Sequence, residues 1–550
     1  MSHQDQCPSS KKQGLPALKP RVAPDHSAAT GARFYRSIDD VSDTPEFREH
    51  LEREFLPGAS ELPEETRREF IKIMGASFAL AGVAGLAACR RPEHKILPYN
   101  NAPEDLVPGN FMHYATAMPT LRGAQGLLAR TFDGRPQKLE GNPLHPNNQG
   151  KSDVHAQSAV LNLYDNHRLK TPAEGGADKT WADFQAFAGE AMRTHAGARG
   201  EGLAFLVDRS GGPTRDAMRS RVLERFPRAR WVEFDPADHE NARQGSWIAF
   251  GSEHREVRNL ARAKVIVTLA DDFLLEPGNL AEARGFAQGR RVTDPDATHA
   301  SMNRLYAIES ALSLTGGNAD HRLAVRPDLL PSVVAALAAK VFARLGASGD
   351  LSAAVSGASL AEHDAWLNAL ADDLCDPQNR GASYIFAGEQ LPAWCHALVH
   401  AMHAALGSVG STVTYVAADG GDYAVGAEGL ARLVADMNAG RVETLVIMSV
   451  NAAYCAPGDV PFADALAKVR NTIYLGSNPD ETAQRCRWAL PQSHFLEAWG
   501  DARAPDGTIS AIQPMIAPLF DSRSQIEVLA MLLGAEHADG YDIVRSTWTA

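Results

Sequence analysis

Short apolar or β-branched runs alternate with helix-length segments over most of this chain, and no other feature limits its fold so tightly. Leu203-Ala204-Phe205-Leu206-Val207 has no polar residue, as a strand buried on both faces requires. Ser210-Gly211-Gly212-Pro213 then makes a turn, and Thr214 is placed to cap a helix reaching Phe226. Residues 230–234 form the next strand, completing the ~30-residue length of a βαβ crossover. Residues 253–263 are expected to be helical, and Lys264-Val265-Ile266-Val267-Thr268-Leu269 to be another buried strand. Residues 329–345 should form a helix with Val334, Leu337, Val341 and Leu345 on one face, stopped by Gly346. From 347 to 380 the regularity fades, and then the same grammar returns. It predicts a strand near Tyr384, a helix over 393–406 and strands over 412–416 and 444–450. A helix over 462–469 and a strand over 472–475 follow. Such alternation predicts an α/β protein of two doubly wound lobes, residues 181–346 and 347–550, each a mostly parallel sheet with helices on both faces.

Charge and cysteine usage narrow the function. Lys and Arg total 54 against 67 Asp and Glu, a formal net charge of -13, and no basic stripe is present. Phosphate backbones need such a stripe, so nucleic acid is excluded as a partner. The six cysteines, Cys7, Cys89, Cys375, Cys395, Cys455 and Cys486, make no C-x-x-C pair and no C-x-x-C-H. Iron–sulfur runs, zinc knuckles and covalently attached c-type haem are therefore not encoded. The last four cysteines admit three disulfide pairings; buried free thiols are the expected state.

Near the N-terminus, Arg67 and Arg68 precede Phe70, Ile71 and Lys72, and residues 73–88 carry no charge. About 16 uncharged residues suit an export signal rather than a membrane span of about 20. The pattern resembles a twin-arginine signal, read by machinery that exports folded proteins. Leu86-Ala87-Ala88-Cys89 resembles a lipobox, whose cysteine would be acylated and become the mature N-terminus. Localisation at the periplasmic face of the membrane, with a lipid anchor, is the expectation. Residues 1–65 read as an extended polar leader, with one short helix that Thr44 can cap and in which Phe47, Leu51 and Phe55 share a face. Residues 90–180 read as an irregular segment with some β structure. In it Leu127 to Phe132 should turn at Asp133-Gly134 into a second strand, which Pro136 demotes to a sheet edge.

A family resemblance rests on two strings. Gly134-Arg135-Pro136-Gln137-Lys138-Leu139-Glu140-Gly141-Asn142-Pro143-Leu144-His145-Pro146 and Leu163-Tyr164-Asp165-Asn166-His167-Arg168-Leu169 resemble the opening region of the molybdopterin oxidoreductase superfamily. With the leader, the twin-arginine motif and Met302-Asn303-Arg304-Leu305-Tyr306, the chain looks most like one branch. That branch is the molybdoenzyme-like part of the molybdopterin/iron–sulfur subunit of alternative complex III, a quinol-oxidising respiratory complex. The resemblance implies partners: a ferredoxin-like iron–sulfur subunit or a missing C-terminal half, multihaem cytochrome c, and integral-membrane quinol-binding subunits. Iron–sulfur clusters and c-type haem would sit on those chains. The departures matter as much. Where the superfamily places the last cluster cysteine, this chain has Gly150-Lys151-Ser152-Asp153-Val154-His155-Ala156-Gln157, and no cysteine lies between Cys89 and Cys375. The resemblance implies that the molybdenum cofactor is lost too. A C-terminal iron–sulfur part is absent from this chain, so a split gene or a truncated product is expected.

In doubly wound folds ligands bind beyond the carboxyl ends of the strands. That puts Ser210, Gly211, Gly212, Asp271, Asp272 and Asn451 at a crevice, read as vestigial because neither G-x-G-x-x-G nor a P-loop lysine is present. His396, His400 and His403 share a helix face beside Cys395. They are read as structural, with no metal and no catalytic residue assigned. Glu497 and Trp499-Gly500-Asp501-Ala502-Arg503 form a charged cluster that either orients a partner or closes a loop through an Asp–Arg pair. Two rival functions remain open at this point: an active molybdopterin-dependent oxidoreductase, and an exported two-lobed solute-binding lipoprotein.

Overall fold

The hairpin expected around Asp133-Gly134 supplies the last two strands of a three-stranded antiparallel sheet, Phe111–Thr120, Gly123–Phe132 and Arg135–Gly141, in that order. Asp133 (φ 46°) and Gly134 (φ 76°) both take the left-handed conformation that a tight two-residue turn needs. Pro136 lies on an edge strand, as its missing N–H demands. The computed structural model describes Pro45, Val107 and residues 109–120, 123–209, 211–237, 239–275, 280–292, 302–418, 424–535 and 539–549. The export signal Arg67, Arg68, Phe70, Ile71 and Lys72, the leader helix and Cys89 lie outside the described residues, as does Ser210.

Helix Val154–Leu163 is started by the Asp153 carboxylate, which accepts from the Ala156 N–H, and packs on this sheet through Ala156, Ala159 and Leu163. The Gly-Asn-Pro segment folds back over the same sheet. A Cβ on Gly126 would lie 2.2 Å from the His145 ring, and one on Gly141 would lie 2.2 Å from the Lys151 carbonyl oxygen. Glycine is required at both.

Beyond it stand two mainly parallel sheets. The larger has eight strands in the order Ala424–Val425, Arg230–Glu233, Leu203–Val207, Thr444–Met448, Asn471–Gly476, Trp488–Pro491, Ala173–Glu174, Ala177–Asp178, with only the last two antiparallel. Alternate residues of its strands enter two different cores. Phe205, Val207, Trp231 and Val446 meet helices Trp181–Gly197, Pro213–Arg225 and Gln525–Leu532. Ala204, Leu206, Val232 and Leu445 meet helices Gly426–Asn438 and Phe462–Leu466. The smaller sheet has the order His321–Ala324, Arg304–Glu309, Val265–Leu269, Ser383–Ala387, all parallel, and packs on helices Leu330–Leu345, Asp364–Cys375 and Ala393–Ala405. Gly346, at φ 61°, ends the first of these helices as expected. Among the described residues no helix is long and apolar enough to cross a membrane.

Three expectations fail. Residues 253–263 are not a helix: His254–Arg258 is a strand, antiparallel to Val413–Ala417, followed by a single 3-10 turn. Helix-favouring Glu and Arg misled there, because pairing with a distant strand outweighs propensity. The strand near 412–416 accordingly joins this two-stranded antiparallel sheet and not a parallel one. Helix Pro213–Arg225 is preceded by Gly212, with Pro213 in its first turn, so Thr214 lies inside the helix rather than capping it.

The sheets also do not divide at residue 346. The chain leaves the large sheet after Glu233 and returns at Ala424 beside the strand it left, so the smaller sheet is an insertion. Strand Ser383–Ala387 therefore belongs with Val265–Leu269, and residues 102–550 form one compact unit. A linear reading assumes that sequence neighbours stay together; burial of the apolar strands decided otherwise.

Candidate functional site

Beyond the carboxyl ends of the large sheet, the protein fills its own crevice. Asp208, Ser449 and Gln492 each follow a strand, and Gln525 bridges the first two, its amide donating to Asp208 Oδ1 (3.0 Å) and Ser449 Oγ (2.9 Å). Ser449 in turn donates to Gln492 Oε1 at 2.6 Å. The Arg215 guanidinium donates to the Asp208 backbone and carboxylate, both at 2.9 Å. Ser449 (φ 58°) and Ala270 (φ 57°), each just past a central strand of its sheet, share the strained left-handed conformation.

The N-terminus of helix Pro213–Arg225 is likewise taken. The buried Asp501 carboxylate accepts from the Thr214 N–H at 3.0 Å and the Thr214 hydroxyl at 2.6 Å, and the Trp548 indole N–H donates to it at 2.9 Å. An anion thus already sits where the helix dipole favours one. Of the two roles left open for this cluster, the Asp501 carboxylate makes this cap rather than a loop-closing pair with Arg503. A Cβ on Gly212 would lie 2.0 Å from the Asp501 carbonyl oxygen, so glycine is required there. Glu497 goes elsewhere, to a buried pair with Arg168 at 2.7 Å.

The other expected crevice positions do not gather. Asn451 donates to Glu481 and accepts from Thr482, closing its own loop. Asp272 accepts from the Thr315 N–H (2.9 Å) and hydroxyl (2.6 Å) on the inserted sheet's side. Asp271 lines a cavity of about 240 Å³ between helices Glu240–Phe250 and Ala393–Ala405 and the strand His254–Arg258.

His396 and His400 line that cavity together with Glu256. Glu256 accepts from Arg258 Nε at 3.1 Å and from the Tyr384 hydroxyl, and faces His400 Nδ1 at 3.3 Å. Burial pushes its carboxyl up, but the His400 hydrogen bond and the Arg258 charge outweigh this and hold it well below the usual carboxylate range. Burial lowers Arg258, yet the neighbouring Tyr384 and Glu256 leave it more firmly protonated than usual. His403 is spoken for: its Nε2 accepts the Ile385 N–H at 3.0 Å and its Nδ1 meets the Tyr415 hydroxyl at 2.9 Å. That hydroxyl also lies 3.1 Å from His400 Nδ1. Burial lowers both His396 and His403 to about 4, so both are neutral at pH 7. Cys395 points into the core of the smaller sheet, where burial pushes its thiol up to about 12. It is no ligand. Glu256 and Tyr415 were missed in the sequence; their signal lay in the polar alternation of His254-Arg255-Glu256-Val257-Arg258, read there as a helix.

No family model matches the chain. It is 25% identical over 461 residues to the menaquinone reductase molybdopterin-binding-like subunit of Nitratidesulfovibrio vulgaris strain Hildenborough, a stretch covering 74% of this chain and 63% of that protein. The chain thus spans less than two-thirds of that relative's length. Among solved structures it resembles acetylene hydratase from Pelobacter acetylenicus, with a TM-score of 0.61 at 12% identity, over 76% of this chain and 69% of the other. The parallel-dominated α/β architecture is that of the molybdopterin-oxidoreductase fold, and in sequence the chain is similar to a molybdopterin-binding-like respiratory subunit.

Proposed function

We propose that the chain is a structural subunit of a quinol-oxidising respiratory complex, anchored at the periplasmic face of the membrane and holding no redox group of its own. The observation that carries this reading is the filled crevice. A pterin dinucleotide needs open space beyond the strands and helix N-termini able to accept phosphate. Here Gln525, Gln492 and Arg215 bridge the strand ends, and the Asp501 carboxylate occupies the helix N-terminus. A second anion there would meet repulsion. The residues present do not fit the cofactor. The lack of any cysteine between Cys89 and Cys375 supports the same reading for a cluster.

The body would hold an iron–sulfur partner beside the quinol-binding and multihaem cytochrome subunits, and electrons would pass through those chains. Twin-arginine export and acylation at Cys89 would deliver it. One acyl chain gives marginal binding, so several chains and protein contacts together would anchor it. A second reading reverses the electron flow, because the relative is named a menaquinone reductase. The scaffold role is the same in both.

The test is iron and molybdenum content of the chain purified from membranes, with and without its co-purifying subunits. Iron only in the presence of partners, with no molybdenum in either sample, is the expected result. Stoichiometric molybdenum in the isolated chain would make it an enzyme.

A further inference from the structure

Two histidines in the small cavity have a bonding pattern that no part of the scaffold role uses. His396 and His400 lie four residues apart on helix Ala393–Ala405, so they project from one face. Both are more than nine-tenths buried, at 4% and 8% exposure. Each has one ring nitrogen engaged: His396 with the Leu391 backbone, and His400 Nδ1 with Glu256 and Tyr415. Each has the other, Nε2, buried with no hydrogen-bond partner. A buried unmet ring nitrogen is costly, and two lining the same cavity need a common explanation.

We propose that His396 Nε2 and His400 Nε2 ligate one divalent transition-metal ion of the zinc class in this cavity. An imidazole whose Nδ1–H donates to a carbonyl or carboxylate presents a bare Nε2 lone pair. A hydrogen bond of this kind at Nδ1 fixes the ring and orients Nε2 toward a metal. Glu253, Asp271 and Glu389 line the same wall, Glu253 facing Arg243 and Glu389 facing His239, so water, for which about 240 Å³ leaves room, would complete the coordination. Tight packing holds the pair in place, since Gly245 of the facing helix brings its backbone against the His396 Cβ.

A different trio lies nearer together. Ligand atoms of Glu256, His400 and His403 fall within 4.8 Å of one another. That group is not the site, because both nitrogens of His403 are hydrogen-bonded and the His400 atom facing Glu256 is its Nδ1. Glu256 is instead the positioning residue for His400. A zinc ion undergoes no redox change, so the site would brace helix Ala393–Ala405 against helix Glu240–Phe250 and strand His254–Arg258, compatibly with the scaffold reading but independently of it.

The full-length chain, stripped with chelator, is titrated with Co²⁺ and followed by visible d–d absorption. One equivalent should produce a tetrahedral-type spectrum and raise the melting temperature. His396→Ala and His400→Ala should each abolish both effects, and Glu256→Gln should weaken binding by about 10–100-fold. Because these variants remove buried groups, X-ray absorption of the zinc-loaded wild-type chain gives a second readout, with two imidazole nitrogens expected at roughly 2.0–2.1 Å. No spectrum in the wild type, a spectrum that survives both histidine substitutions, or fewer than two imidazoles at the metal would overturn the proposal.

Discussion

Arg168 and Glu497, 329 positions apart, form a forked ion pair sealed from solvent, with Nη2 to Oε2 at 2.7 Å and Nη1 to Oε1 at 3.1 Å. Backbone groups nearby complete the network. Arg168 also donates to the Leu163 and Gln492 carbonyls, and Glu497 accepts the His494 and Leu519 N–H groups. The pair ties the N-terminal module to the C-terminal segment that covers the large sheet. Arg168→Ala or Glu497→Ala strands a buried charge and should cost about 3–5 kcal/mol in urea unfolding. The double variant should cost less than the sum.

The same pair sets an acid limit. Burial pushes the Glu497 carboxyl up, but Arg168 and the two backbone donors outweigh it and leave its folded value below the ordinary one. A depressed carboxyl contributes stability above its unfolded value, about 4.3, and loses it as pH falls through the folded value. Glu497→Gln should flatten the stability profile below about pH 4.

His396, His403 and His494 give a second, higher window. Burial lowers each to about 4. The unfolded chain takes up protons near pH 6.5 while the folded one does not, so stability present above that value is lost as pH falls toward about 4. Each histidine adds up to about 1.4 kcal/mol per pH unit across that window. Urea midpoints measured in steps between pH 7 and 4 should fall steadily, and His403→Phe should reduce the slope.

Gly245 sits where helices Glu240–Phe250 and Ala393–Ala405 press together. An added Cβ would lie 2.4 Å from the His396 Cβ and 2.7 Å from the Ala393 carbonyl oxygen, on backbone that cannot step aside. Gly245→Ala should cost about 1–3 kcal/mol, read as a lower melting temperature.

Asp501→Ala should cost about 1–2 kcal/mol through the lost helix cap. It should also release Trp548, so that amide exchange over helix Gly540–Thr549 speeds up. Unchanged exchange there would mean that the indole bond does not hold this helix.

Much of the fold was legible because its strands are pure. Leu203–Val207, Val265–Leu269 and Thr444–Met448 are buried at every residue, and such runs have one reading. Residues 254–258 were not legible, because a half-exposed strand of Arg and Glu mimics a helix until its partner at 413–417 is known. The order of strands was illegible for a related reason: nothing in residues 230–233 says that 424–425 will lie beside them. Site residues fared unevenly. The helix spacing of His396 and His400 was visible, whereas their bonding depends on Glu256, Tyr415 and Leu391, which only tertiary contact supplies. Asp501 was noticed as a charge, and its role as a cap required helix Pro213–Arg225 to be placed.

The departure from the large sheet at Glu233 and return at Ala424 has a consequence for translation. Leu203–Val207 is buried at every residue, yet its neighbour Thr444–Met448 is synthesised about 240 residues later. At about 5–20 residues per second the strand waits roughly 12–50 seconds with an unpaired edge. The inserted domain is finished first, since its last strand ends at Ala417. A ribosome making this protein therefore carries a completed passenger on an unfinished host, and the first strands of that host are the surface a holding chaperone has to cover.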